Sequence, residues 1–303
     1  MTPLPVITGF GGVSPAGRSS FHRGYQRLVE STLNQAQRQH LIASLAGLSN
    51  AQSENPNGDT LLHNTLIRPL ETNLFNPQKQ RVQSQLTLTP DSHQLGGQGH
   101  PGESGELKFR VPRRQLPTTL PSGWRLTDEA SEHVTVACER ADLMLASYTE
   151  MKVTSAGQLP SGFDPASLYA SRNHPRALQM TVYGASDAIN SLGIEWAGIR
   201  GRVAPDAISV YAGNCMGQLD SAGFGGMLQA RLLGNKVSSK QLPLGLIEMP
   251  ADFINAYLLG NLGTTGTSVA ACATFLYNLR QGIKDIQSGE SRVAIVGTSE
   301  APL

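Results

Sequence analysis

The residues with the clearest chemical potential lie in Ser268-Val269-Ala270-Ala271-Cys272-Ala273-Thr274. A β-branched run passes into a turn of small residues and then into a helix, with a thiol at the junction. Unpaired N–H groups and the dipole at a helix start favour anionic sulfur there. Small neighbours let a carbonyl carbon approach the sulfur, and the Cys272 N–H is a candidate oxyanion donor. The chemistry this suits is acyl transfer through a thioester, the strand–turn–helix logic of a nucleophile elbow with sulfur replacing oxygen. A cysteine without such context is more often a small apolar filler.

The helix that would position this thiol carries Phe275, Leu276, Leu279, Ile283 and Ile286 on one face, which predicts a buried apolar stripe. Strands are expected over Thr267 to Ala270 before it and Val293 to Val296 after it. Upstream, Pro175 stands at a helix start, and Leu178, Val182, Ala185, Ile189 and Leu192 form a stripe closed by Gly193. Ile208 to Tyr211 predicts a strand ending at Ala212-Gly213-Asn214. Met216 to Leu233 predicts a helix broken at Gly223-Phe224-Gly225-Gly226, and Phe253, Ile254, Tyr257 and Leu258 a buried helix. Near the start, Pro5 to Thr8 predicts a buried strand. Phe21, Tyr25, Leu28 and Val29 mark one helical face, and Leu41, Ile42, Leu45 and Leu48 another. Alternating strands and helices make this an α/β layered protein.

Between about Asn50 and Gln115, Gln, Asn, Gly and Pro dominate, and Gln94 to Gly105 has the composition of a flexible loop. The alternation in Val134-Thr135-Val136 marks re-entry into compact structure. The expected organisation is a catalytic domain over 1–30 and 140–303, interrupted by a polar, partly disordered insertion over 31–139.

The bulk numbers exclude several classes. The 303 residues carry a formal net charge of +1, so no global field draws the chain to nucleic acid or anionic lipid. Mean hydropathy is −0.20, and no apolar run has the length of a membrane span. The N-terminus lacks the pattern of a signal peptide. Cys138, Cys215 and Cys272 form neither a disulfide framework nor a CxxC metal site. These features place the chain in the cytoplasm with reduced thiols. Gly9-x-Gly11 lacks the third glycine and the downstream acid of a dinucleotide loop, so the glycines are assigned to backbone packing. Neither a metal nor a cofactor is expected.

Four segments, in order, resemble the β-ketoacyl-acyl carrier protein synthases. Val6 to Gly17 resembles their first strand and turn, and Ala212 to Gly217 (AGNCMG) their pocket floor. Gly260 to Gly266 resembles the turn before the nucleophile strand. Ala271-Cys272-Ala273-Thr274, with Gly289 to Glu300, resembles the nucleophile segment itself. The runs SAGQLPSGF, QLPLG, ADFINAY and ACATFLYN are most similar to the long FabY-type ketosynthases of γ-proteobacteria.

The resemblance implies the N-terminal half of a thiolase-like αβαβα fold and a homodimer. It implies acylation of Cys272, then decarboxylative Claisen condensation with malonyl-acyl carrier protein in fatty acid biosynthesis, including an initiating step from acetyl-CoA. It places Met216 at the end of the acyl tunnel and sends Ile247 toward the neighbouring subunit's pocket. An acidic acyl carrier protein would meet Arg231, Lys236 and Lys240.

The two histidines, the lysine and the Gly-rich loop of the family would follow Cys272. The last of the seven histidines here is His174, so the chain is expected to be a first half, inactive alone. Thr298 and Cys215 stand where relatives carry glycine. Competing readings are a thiolase acting on CoA esters, a non-catalytic partner subunit and a generic cysteine hydrolase. The ACAT run opposes the first, the presence of Cys272 the second, and the lack of a companion histidine motif the third.

Overall fold

The computed structural model describes residues 3–49, 62, 67–69, 81–88, 107–128, 132–138, 141–148, 155–231, 235–260 and 263–301. In chain order its strands are β1 (Val13–Ser14), β2 (Gly17–Arg18), β3 (Ile67–Pro69), β4 (Arg81–Leu88), β5 (Leu107–Pro112), β6 (Trp124–Asp128), β7 (His133–Cys138), β8 (Ala141–Tyr148), β9 (Ser155–Gly157), β10 (Ile208–Gly213), β11 (Thr265–Gly266) and β12 (Val293–Thr298). The helices used below are α1 (Arg23–Leu28), α2 (Gln35–Leu48), α3 (Arg176–Asn190), α4 (Trp196–Arg200), α5 (Phe224–Ala230), α6 (Gln241–Gly245), α7 (Met249–Ile254) and α8 (Thr274–Ser288).

The chain forms two compact units, Leu70–Thr154 and the remainder. These bounds differ from the expected 31 and 139. α2 lies inside the expected insertion, yet Leu41, Leu45 and Leu48 are buried within the larger unit. Leu45 and Leu48 close over Gly17, where an added Cβ would sit 3.1 Å from Leu45. An Asn34/Gln37 capping box starts this helix. The stretch Gln94 to Gly105 lies outside the described residues, as does most of the segment between Asn50 and Gln115. In the smaller unit, β4 pairs with β8, and β7 sits between β5 and β6, all antiparallel. Val134 and Val136 are fully buried on β7, as the alternation predicts.

The larger unit is built on a parallel sheet of order β11-β10-β12. β10 is buried along its whole length because helices cover both faces. Val210 and Ala212 point to one face and pack with Ala185 of α3 and with Ala251 and Ile254 of α7. Tyr211 points to the other face and donates to buried Asp285 of α8 at 2.5 Å. The α3 stripe is confirmed: Leu178, Val182 and Ala185 are buried, and Gly193 takes φ +66° to end the segment.

Several local expectations are corrected. Residues 3–12 form no strand, and Val6 and Ile7 are 68% and 80% exposed. Among the described residues no sheet edge pairs with them, and a lone strand cannot satisfy its own backbone groups. Gly9 and Gly11 instead press against α3, where a Cβ at Gly11 would stand 2.2 Å from the Ala188 nitrogen. Phe21, Tyr25 and Leu28 are exposed, and the buried member of α1 is Arg27, whose guanidinium donates to the Pro15 carbonyl. The glycine run does not break a helix begun at Met216. It begins α5, because Gly225 and Gly226 abut the Leu219 and Ser221 carbonyls too closely for any Cβ. The strand expected at Thr267 to Ala270 shortens to β11, two residues earlier, and the stretch before Ala271 is irregular.

Candidate active site

The C-terminal ends of β10, β11 and β12 lie side by side, with Gly213 opposite Thr298 and Tyr211 opposite Gly266. In open α/β sheets this edge is where loops converge to bind ligands. Cys215 and Met216 follow β10, Cys272 follows β11, and Glu300 follows β12.

Cys272 sits in the 3₁₀ turn Ala271–Ala273, immediately before α8, and is exposed. Ala271 takes φ +48°, in the left-handed region. For an alanine this costs on the order of 1 kcal/mol, held in place by a clasp from Thr274. Its hydroxyl accepts from the Ala270 N–H at 3.1 Å and donates to the Ala271 carbonyl at 2.8 Å. A tight turn thus presents sulfur outward at the helix start, the arrangement a nucleophile elbow needs.

The expected buried apolar stripe of α8 is overturned. Thr274, Asn278, Gly282 and Asp285 are the buried residues, while Leu276 is 61% exposed and Phe275 is also exposed. Two contacts fix this orientation. A Cβ at Gly282 would lie 2.9 Å from Val296 and 3.0 Å from Ala294, so glycine lets the helix approach β12. Asn278, fully buried, donates from Nδ2 to the Gly297 carbonyl (3.2 Å) and to Thr267 Oγ1 (3.1 Å), and accepts from the Ser268 N–H (2.8 Å). It therefore joins helix, sheet and the segment leading to Cys272. Sequence reasoning missed this residue. The signal was present as a small-and-polar stripe, Thr274, Asn278, Gly282 and Asp285, with helical spacing opposite the apolar one.

Met216 is half-exposed beyond β10. Ile247 is half-buried, and its carbonyl accepts from the Asn214 N–H at 3.2 Å. A Cβ at Gly213 would lie 2.8 Å from that carbonyl and 2.3 Å from Thr267 Oγ1, so glycine at this point lets three segments meet. The Thr298 hydroxyl donates to the Gly213 carbonyl at 2.9 Å, tying the end of β12 to β10. Glu300, also unanticipated, accepts from the Cys215 N–H at 2.7 Å. Burial, then Glu300 and Cys272, push the Cys215 thiol upward.

Arg231, Lys236 and Lys240 are exposed. Lys236 lines a cavity of about 500 Å³ with Asn235, Gln229 and Gln241, beside α5. His174 is committed elsewhere: its ring nitrogens meet the Tyr169 and Tyr257 hydroxyls at 3.1 and 3.3 Å, and Phe253 packs edge-on against it. Among the described residues no group of three or more His, Cys, Asp or Glu could hold a metal ion, and no helix is long and apolar enough to cross a membrane.

A parallel sheet covered on both faces thus presents a cysteine elbow at its C-terminal edge. Residues 127–303 match the β-ketoacyl synthase N-terminal domain, and the chain is a member of that family. It is 44% identical over 323 residues to the β-ketoacyl-acyl carrier protein synthase FabY of Pseudomonas aeruginosa, covering 100% of this chain and 49% of that protein. A crystal structure of that FabY superposes with a TM-score of 0.87, again over 100% of this chain and 49% of the other. The thiolase-like fold follows from that match. The fatty acid synthase α subunit of Penicillium patulum is 24% identical over 261 residues, which cover 78% of this chain and 13% of that protein. The chain thus spans about half the length of the bacterial relative and far less of the fungal one.

Proposed function

We propose that this chain supplies the nucleophile side of a β-ketoacyl-acyl carrier protein synthase, with Cys272 as the residue that is acylated. The Cys272 sulfur attacks the thioester carbonyl of acyl-CoA or acyl carrier protein, the donor thiol leaves, and the acyl group rests on Cys272. In the complete protein the acyl-enzyme then accepts the carbanion released when malonyl-acyl carrier protein loses CO₂. Acetyl-CoA is the proposed starter, which places the reaction at the initiation of fatty acid synthesis, in the cytoplasm. Its support is the Ala271–Ala273 elbow at the C-terminal edge of a parallel sheet, within the family-matched segment.

The remaining assignments follow that reading. Met216 bounds the acyl site, and Ile247 approaches the pocket of a second copy in a homodimer. Arg231, Lys236 and Lys240 meet the acidic carrier protein through rim charges, which govern encounter rate more than affinity. Intact-protein mass spectrometry of the complete enzyme after incubation with acetyl-CoA tests the core claim. One acetyl adduct is expected, absent in Cys272→Ser and released by hydroxylamine. An adduct retained by Cys272→Ser would sink the assignment.

A further inference from the structure

Two free thiols and one carboxylate share the C-terminal edge of the sheet. Cys215 lies two residues beyond Gly213 on β10, and Glu300 two beyond Thr298, its register partner on β12. The chain leading to Cys272 passes directly over the end of β10, since a Cβ at Gly213 would lie within 2.3 Å of Thr267. Cys215 is half-buried and held by Glu300 through its N–H, while Cys272 is exposed in a short turn. The Cys215 thiol also lies against Glu300, and burial, then Glu300 and Cys272, push it upward. Nothing in acyl transfer to Cys272 requires a second thiol.

We propose that Cys215 is a resolving cysteine for Cys272, so that the pair is a peroxide-sensitive modification site. The Cys272 sulfur attacks one oxygen of hydrogen peroxide and the O–O bond breaks. This leaves Cys272 as a sulfenic acid and releases one water. The Cys215 sulfur then attacks the Cys272 sulfur, the S–O bond breaks, and the oxygen leaves as a second water with the Cys215 proton, drawn off by the Glu300 carboxylate. Two thiols lose two electrons in total, and peroxide is reduced to two waters. A disulfide brings the Cβ atoms to about 3.8 Å. Closing that bond requires the Ala271–Ala273 turn, held by the Thr274 hydroxyl and the Ala273 N–H, to shift toward Cys215. The disulfide protects Cys272 from irreversible sulfinic oxidation and blocks acylation until a thiol reductant reopens it. Only this last consequence rests on the proposed nucleophile role of Cys272.

The test uses the intact reduced protein, treated with hydrogen peroxide, blocked with N-ethylmaleimide, digested and read by mass spectrometry, with buried Cys138 as internal reference. The expected result is a Cys215–Cys272 peptide pair that dithiothreitol separates. In Cys215→Ala and Cys215→Ser, checked for native circular dichroism, Cys272 should instead be trapped by dimedone and then lost to forms dithiothreitol does not restore. Oxidised Cys272 beside an alkylatable Cys215 in the wild type would overturn the proposal. So would unchanged irreversible loss in both variants. Acetyl loading of the reduced protein is measured in parallel. Loading without a disulfide overturns the resolving role alone, and a disulfide without loading overturns the nucleophile role alone.

Discussion

Asn278→Ala perturbs the point where α8, β12 and the segment before Cys272 are joined. The substitution removes the acceptor for the Ser268 N–H and the donor for the Gly297 carbonyl, and leaves Thr267 Oγ1 to find another partner. Asn278 is fully buried, so water does not readily replace it. Each orphaned buried group costs about 1–3 kcal/mol, and with the Thr267 hydroxyl free to rotate the two backbone groups dominate, giving on the order of 3–5 kcal/mol. That is a large share of the stability of a typical domain, about 5–15 kcal/mol. Urea unfolding gives the global loss, and amide exchange at Ser268 gives the local one. Because the Ser268 segment leads into the elbow, acetyl loading of Cys272 should fall as well. Asn278→Asp keeps the acceptor for Ser268 but sets an oxygen against the Gly297 carbonyl, and should also destabilise. If Asn278→Ala remains within about 0.5 kcal/mol of wild type, the range of an unremarkable surface change, the joint does not hold the elbow.

Three further outcomes are expected. Asp187 is buried on α3 and accepts from the Gly12 N–H (3.0 Å), the Ser20 hydroxyl (2.9 Å) and Arg18 Nε (2.8 Å). Asp187→Ala should cost about 2–4 kcal/mol, the lower side of a broken buried pair because Arg18 is partly exposed, and should free the chain near Arg18 and Arg23 for trypsin; an unchanged cleavage pattern would contradict it. Burial and the hydrogen bond to Asp285 push Tyr211 up to about 12 from 10.0. Its contribution is therefore fully present below pH 10.0 and lost as pH rises through about 12, and Tyr211→Phe should flatten that alkaline limb in a stability–pH profile. Met216→Ala should raise medium-chain acylation on the order of ten- to a hundredfold, the relief of about 1–3 kcal/mol of overpacking, while leaving acetyl loading nearly unchanged; equal loss for both substrates would make Met216 packing alone.

Local pattern determined the parts of this protein that local physics controls. The stripes of α2 and α3 and the alternation in β7 were legible because there the apolar face is also the face that packs inward. Cys272 stood out in a short window as a thiol among small residues at a helix start, and the structure places it in an exposed turn there. Tertiary structure decided which face of α8 is buried. Periodicity reveals that a helix has an apolar face, but not whether the sheet takes it. Here a glycine allowing close approach and a buried asparagine turned the polar stripe inward. Tertiary structure also refused a strand to Pro5 through Thr8, because a strand exists only beside an edge that pairs with it. That the segments bearing Cys215, Cys272 and Glu300 converge on one edge was hidden for the same reason. Their segments are far apart in the chain, and parallel pairing of β11, β10 and β12 alone brings those three strand ends to one edge.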